Sequence, residues 1–199
     1  LGWERTAELN LGLDFGLFNN RITGTLDVYE RNTYDLLMER TLPTITGYDR
    51  VWENIGQIRN RGFELSLQFV PVETKDFRLS ISGNVSYNKN EIVKLFNGEE
   101  DYPANNWFIG QPVSVDRFYD YLGVWQLEDF KEAKKYKQEI GTPKLKDVDG
   151  NYIYDQNDMS IHNKIPKWLA GLTISGQYKQ FDFSVYAYGR FDYGTRMGT

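Results

Sequence analysis

The 199-residue sequence contains no cysteine, which excludes disulfide frameworks, thiolate metal sites and thiol nucleophiles. It has one histidine, His162, too few for a histidine metal cluster and poor ground for a Ser-His-Asp triad. Positive charge is scarce as well. The 23 Lys and Arg against 28 Asp and Glu give a formal net charge of -5, so no basic footprint for nucleic acid stands out. No run approaches ~18 apolar residues, and no transmembrane helix is encoded. What the chain has in quantity is aromatic side chains, 14 Tyr, 12 Phe and 5 Trp, in a sequence whose mean hydropathy is only -0.58. Many amphipathic rings in so polar a chain suit a β-protein with one wet and one greasy face, a property that hides transmembrane barrels from hydropathy scans.

Alternation with period two is the main signal. Over 7–17 one parity reads Ala7, Leu9, Leu11, Leu13, Phe15, Leu17, and the other Glu8, Asn10, Gly12, Asp14, Gly16. After the turn Phe18-Asn19-Asn20, the series Ile22, Gly24, Leu26, Val28 alternates with Thr23, Thr25, Asp27, Tyr29. Phe63, Leu65, Leu67, Phe69 oppose Glu64, Ser66, Gln68, and Phe77 to Tyr87 repeats the pattern beyond a polar link at 72–76. Near the end Trp168, Ala170, Leu172, Ile174 and, past the turn 178–180, Phe181, Phe183, Val185, Ala187 do so again.

A soluble antiparallel sandwich would also alternate. Two features speak for a membrane barrel instead. The strands run ~12–15 residues, well beyond the five or six usual in globular sheets. Connections alternate between short (18–20, 72–76, 178–180) and long (36–53, 90–165), as in outer-membrane barrels with short periplasmic turns and long outer loops. The reading is all-β: an antiparallel transmembrane β-barrel segment with spanning strands at 3–17, 21–35, 54–70, 77–90, 166–178 and 181–194. The whole of 1–199 is one partial barrel, and by parity 90–165 is one extracellular excursion, with a strand near 113–125 inside it, or else hides an even number of further strands. Six strands are fewer than the eight or so of the smallest such barrels, so the sequence reads as an arc of wall. The wet parity places Asp14, Asp27, Tyr29, Glu64 and Arg78 in the lumen. Tyr34, Tyr87 and Trp168, on the apolar parity, are girdle candidates.

The long loops contain little chemistry. Residues 128–138 (EDFKEAKKYKQ) read as a short helix, acidic first and Lys-rich last. His162 reads as a surface residue, and Glu99-Glu100-Asp101 as solvated acids. Only 147–158 has the spacing of a metal loop. A hard cation needs converging oxygens, and an EF-hand-type loop offers them at positions 1, 3, 5, 7 (a backbone carbonyl), 9 and 12. Here these are Asp147, Asp149, Asn151, Ile153, Asp155 and Asp158, which makes Ca2+ the expected cofactor if there is one. Position 6, usually glycine, is Tyr152, and position 12 is Asp rather than Glu. The competing reading is an Asx-rich turn that satisfies itself.

Several stretches resemble the SusC/RagA-like TonB-dependent transporters of the bacterial outer membrane. They include LNLGLDFGLFNNRITGTLDVYERNTYDLL (9–37), PTITG (43–47), ENIGQIRNRGFELSL (53–67) and LSISGNVSYNKNEI (79–92). IGQPV (109–113), GVWQ (123–126), KDVDGNYIYDQND (146–158) and PKWLAGLTISGQYKQFDFSVYAYGR (166–190) continue the likeness in the family's order. The resemblance implies a barrel of about twenty-two strands around a plug. It implies a SusD-like surface lipoprotein as lid, the TonB complex as energy source, outer membrane lipid around the wall, and oligosaccharides or peptides as cargo. Under that reading Trp107, Tyr119 and Trp125 are expected to contact substrate or the lipoprotein. The plug, the TonB-contacting segment and the closing strands have no counterpart in these residues.

Two other classes remain in view. A soluble carbohydrate-binding β-domain would share the strands and loop aromatics. A glycosidase would need two carboxylates across a cleft, and no pair is singled out by spacing.

Overall fold

A computed structural model describes residues 2–54, 56–96 and 98–194. The chain divides into two units, one formed by its first 114 residues together with everything from Asn163 onward, the other by Val115–His162.

The larger unit is built on six antiparallel strands. These are β1 (Arg5–Leu17), β2 (Ile22–Tyr34), β5 (Gln57–Glu73), β6 (Phe77–Lys94), β11 (Trp168–Tyr178) and β12 (Phe181–Phe191), hydrogen-bonded in the order β1-β2-β5-β6-β11-β12. Every strand therefore lies beside its predecessor in the sheet, although β6 and β11 are separated by a long excursion. All six expected strands are present, and β6, at 18 residues, runs four residues further than the alternation predicts. Among the described residues β1 and β12 each pair on one side only, so the sheet is an open arc.

The turns explain the register. Phe18, Asn19 and Asn20 all take left-handed backbone angles (φ 53°, 55° and 61°), a conformation that asparagine tolerates best after glycine. At the next short end, Thr74 accepts through Oγ1 from the Phe77 amide at 2.9 Å, closing 74–76 as a tight link. One irregularity falls between Phe69 and Val72, where Pro71 has no N–H to give the ladder and β5 bulges.

The excursion at 36–53 is not a plain loop. It folds into a hairpin of β3 (Leu37–Thr41) and β4 (Arg50–Asn54), held by Arg40–Glu53 and Arg50–Glu39 ion pairs at 3.0 Å each. Met38 from this hairpin packs with Ile92, Leu95 and Trp107 in the small apolar core of the unit.

The smaller unit holds β7 (Val115–Tyr119), β8 (Tyr121–Val124), the single-turn helix α1 (Phe130–Ala133), β9 (Pro143–Leu145) and most of β10 (Met159–Asn163). β7 pairs with β10 and β8 with β9, so the strand expected near 113–125 is two pieces with different partners. Neither joins the six-stranded sheet. The helix expected over 128–138 is cut to one turn after a 3-10 stretch at Leu127–Asp129. Lys137 takes φ 54°, which ends the helical path, and Tyr136 packs its ring against Trp125 and Tyr154. So short a segment has little helical stability of its own to resist that packing.

Candidate functional site

Because side chains alternate along a strand, the sheet has two chemically distinct faces. The outward one is apolar and exposed. Leu9, Leu11, Leu13 and Leu17 of β1 are 50–67% exposed, as are Phe181, Phe183 and Val185 of β12 at 52–70%. An apolar face this continuous is far larger than the patches soluble monomers show. It also has a defined height. On β6 the outward residues run from Phe77 to Tyr87, about 33 Å along the strand at the usual rise. With a tilt of about 40° that is roughly 25 Å, the height of the apolar band in outer-membrane barrels.

Aromatic rings stand at both edges of this band. Near the short turns Phe77 pairs across to Tyr178, which pairs to Phe181. At the other edge Phe63, Tyr87, Trp168 and Phe191 are successive cross-strand partners. Phe63, Tyr87 and Trp168 meet with ring centroids 4.7–6.1 Å apart. Tyr87 and Trp168 therefore stand in this row. Tyr34 does not; it pairs with Arg5 and Gln57, three outward positions beyond that row. Alternation gives parity but not height, and height needs the register.

The opposite face is polar and small. Asp14, Asp27, Tyr29, Glu64 and Arg78 share it, with Asp27 directly opposite Glu64. Glu8 pairs with Arg31 at 2.8 Å, and Asn90 donates to Asn60 at 2.9 Å. A shallow hollow of about 490 Å³ runs across this face, lined by Asp14, Thr23, Ser66, Ser82, Gly171 and Tyr186 among others.

The smaller unit carries the carboxylate loop. Asp147 accepts from the Gly150 and Tyr152 amides at 2.7 and 3.0 Å, Asp149 from the Asn151 amide at 3.1 Å, and Asn151 from the Ile153 amide at 2.6 Å. Asp158 is fully buried and accepts from the Val148 and Asp155 amides at 2.7 and 3.0 Å. Desolvation pulls the Asp147 carboxyl upward, but the Tyr152 and Gly150 amides and the Tyr136 hydroxyl together hold it below the usual carboxylate range. In return, burial and the Asp147 charge push the Tyr136 phenol up to about 12.

Oxygen atoms of Asp147, Asp149 and Asp158 lie within 4.8 Å of one another, the span of ligands around one calcium ion at 2.3–2.6 Å each. Tyr152, at the glycine position, takes φ 64°, so the sharp turn is made despite the side chain. Asp155 is turned elsewhere. Its carboxylate caps the 3-10 turn Gln156–Asp158 by accepting from the Asn157 amide at 2.7 Å.

The loop aromatics are placed differently from expectation. Trp107, 9% exposed, lies in the apolar core of the larger unit, and Trp125, 1% exposed, lies under Lys144 and against Tyr136 in the smaller one. Neither ring is open for stacking in this structure. Tyr119 is half-buried. His162 is likewise not a free surface residue. It stacks on Phe118 at 3.8 Å and sets Nε2 3.0 Å from Asp120, whose other oxygen accepts from Ser160 at 2.7 Å. These partners are 40 or more residues apart in sequence, and no local spacing signals them.

The sequence model of the TonB dependent receptor-like, beta-barrel family matches residues 1–198. The chain belongs to the TonB-dependent receptor β-barrel family. It is 37% identical to the TonB-dependent receptor SusC of Bacteroides thetaiotaomicron over 193 residues, covering 92% of this chain and 19% of that protein. It is 32% identical to the TonB-dependent receptor P3 of Formosa agariphila, covering 94% of this chain and 20% of that one. Among solved structures, the RagAB peptide transporter superposes with a TM-score of 0.69 at 25% identity, over 94% of this chain and 21% of the other. The RagAB peptide importer in its open-open state gives 0.68 at 26% identity, over 94% and 20%. The chain thus spans about a fifth of these relatives. This membership makes the two faces those of a barrel wall, and it replaces both the soluble sugar-binding reading and the glycosidase reading.

Proposed function

We propose that these residues form wall and outer loops of a TonB-dependent importer in a bacterial outer membrane, carrying oligosaccharides or peptides. The observation that carries the reading is the two-faced sheet, with an exposed apolar band of about 25 Å bounded by aromatic rows. Tight links join β1 to β2, β5 to β6 and β11 to β12, and both long excursions leave from the other strand ends. On this reading the excursions face the outside. There they would meet cargo and a SusD-like surface lipoprotein, while the TonB complex drives transport through a plug. The RagAB structures, described as a peptide transporter and importer, favour peptides as one cargo class. The test is fractionation of cells carrying the full-length protein, with protease added outside. Recovery in outer membranes with cleavage inside 120–160 supports the reading; recovery as a soluble protein overturns it.

The carboxylate loop fits a calcium ion, with Asp147, Asp149 and Asp158 as side-chain ligands and Asn151 and the Ile153 carbonyl completing the set. The convergence of three carboxylates within 4.8 Å favours this over a plain Asx turn, because like charges so close repel unless a cation lies between them. A bound ion would supply charge to hold 147–158 in one conformation. Asp155 is left to its capping role. Terbium luminescence of the full-length transporter, lost in D147N/D158N, tests it; unchanged luminescence overturns it.

A further inference from the structure

We infer that the outward face of β1, β2, β5 and β6 binds a phosphate-bearing lipid of the outer leaflet, with Arg61 and Lys89 on the phosphate and an apolar groove holding an acyl chain. The inference rests on the reading of this sheet as membrane-spanning.

An apolar groove of about 380 Å³ lies on that face, lined by Leu9, Leu11, Val28, Phe63 and Tyr87, with Arg61 and Glu30 on its rim. The groove sits at the level of the upper aromatic row, where ring side chains mark the boundary between hydrocarbon and headgroups. One position beyond that row, Arg61 of β5 is directly opposite Lys89 of β6. Two cations in direct cross-strand register repel each other unless an anion is shared between them.

The protein's own anions only partly answer this. Glu91 takes Arg59 at 2.8 Å and Lys89 at 2.5 Å, so one buried carboxylate already serves two cations. Glu30, the other neighbour of Arg61 in register, accepts from Asn32 at 3.1 Å. Arg61 is exposed and makes no ion pair among the described residues. Three cations thus stand against two carboxylates at the headgroup level, and the unpaired one borders the groove.

A guanidinium fork matches phosphate oxygens two at a time, and a neighbouring ammonium adds charge without demanding geometry. The chemistry that satisfies both parts is a phosphate close to an acyl chain. The excursions leave from this end of the strands, so the leaflet is the outer one, where phosphorylated glycolipid is the anionic component.

The experiment is native mass spectrometry of the full-length transporter in detergent, titrated with diphosphorylated lipid A and with the same lipid after phosphate removal. The phosphorylated lipid is expected to bind about tenfold tighter, from two charge-assisted contacts. R61Q/K89Q abolishes that preference, R61K/K89R keeps most of it, and R190Q on the polar face leaves it intact. Inorganic phosphate at the same concentration does not compete, since it has no chain for the groove. Equal binding of the two lipids to the unaltered protein overturns the inference, as does unchanged preference in R61Q/K89Q. A full-length protein that is soluble without detergent would instead defeat the membrane reading beneath it.

Discussion

Tyr29 on β2 stands directly opposite Gly62 on β5, and its hydroxyl reaches past that glycine to donate to Asn88 on β6 at 3.2 Å. A Cβ at Gly62 would lie 2.8 Å from the Tyr29 oxygen and closer still to the Tyr87 carbonyl. Three strands are tied across one missing side chain. The same device recurs on the outward face, where Phe15 lies over Gly24 and Phe183 over Gly176.

Gly62→Ala should therefore destabilise the barrel by about 1–3 kcal/mol through overpacking. Tyr29→Phe, which loses only the hydrogen bond to Asn88, should cost about 0.5–1.5 kcal/mol. Urea unfolding of the full-length protein in vesicles gives both values. An alanine at 62 without cost would mean that neither the Tyr87 carbonyl nor Tyr29 crowds the glycine.

Leu172 sits near mid-height of the apolar band and is 44% exposed. Leu172→Arg should cost about 2–4 kcal/mol in a bilayer, as charges do at the midplane of a barrel wall. Asn10→Arg, on the polar face, should stay within about 0.5 kcal/mol of the unaltered protein. Equal costs in the same vesicle assay would show that both faces see the same medium.

Much of this was legible in the sequence, because parity is a local property. Leu9 to Leu17 and Phe77 to Tyr87 each declare their face within one strand. The long excursions were less legible, since their structure depends on distant partners. The hairpin pairing Leu37 with Asn54 has weak alternation. Trp107 and Trp125 look like binding aromatics by composition and are core residues by position. The carboxylate loop was half legible. Spacing singled out Asp147, Asp149, Asn151, Ile153, Asp155 and Asp158, but could not show that Tyr152 would accept a left-handed backbone or that Asp155 would cap a 3-10 turn.

Burial assigns the two tryptophans a structural role. Trp125→Ala and Trp107→Ala should each lower the stability of their own unit by about 3–5 kcal/mol, as loss of a core tryptophan does. Limited proteolysis should show the first as faster cleavage within 115–162. Cargo binding by variants that remain folded should be unchanged; selective loss of binding with normal proteolysis would restore the contact role.

Acid should loosen the smaller unit. The Ser160 hydroxyl, against the cost of burial and with help from His162 and Lys146, holds the Asp120 carboxyl below its ordinary value. Asp147 is lowered as well. A depressed carboxylate stabilises the fold above its unfolded pKa and loses that contribution as pH falls through the folded one. Protease resistance of 115–162 should be flat from about pH 7 to 5 and decline below about pH 4. Asp120→Asn should flatten part of that decline, and an unaltered profile would contradict the pairing.

The central claim is that neighbouring residues on one strand face different media, and adjacent positions on β11 test it most directly. A single cysteine, the only one in the full-length protein, would be placed at Leu172 or at Thr173 and labelled with an environment-sensitive fluorophore in vesicles containing a lipid-borne quencher. The account predicts strong quenching at 172 and little at 173. Equal quenching at both sites, or none at either, would contradict it.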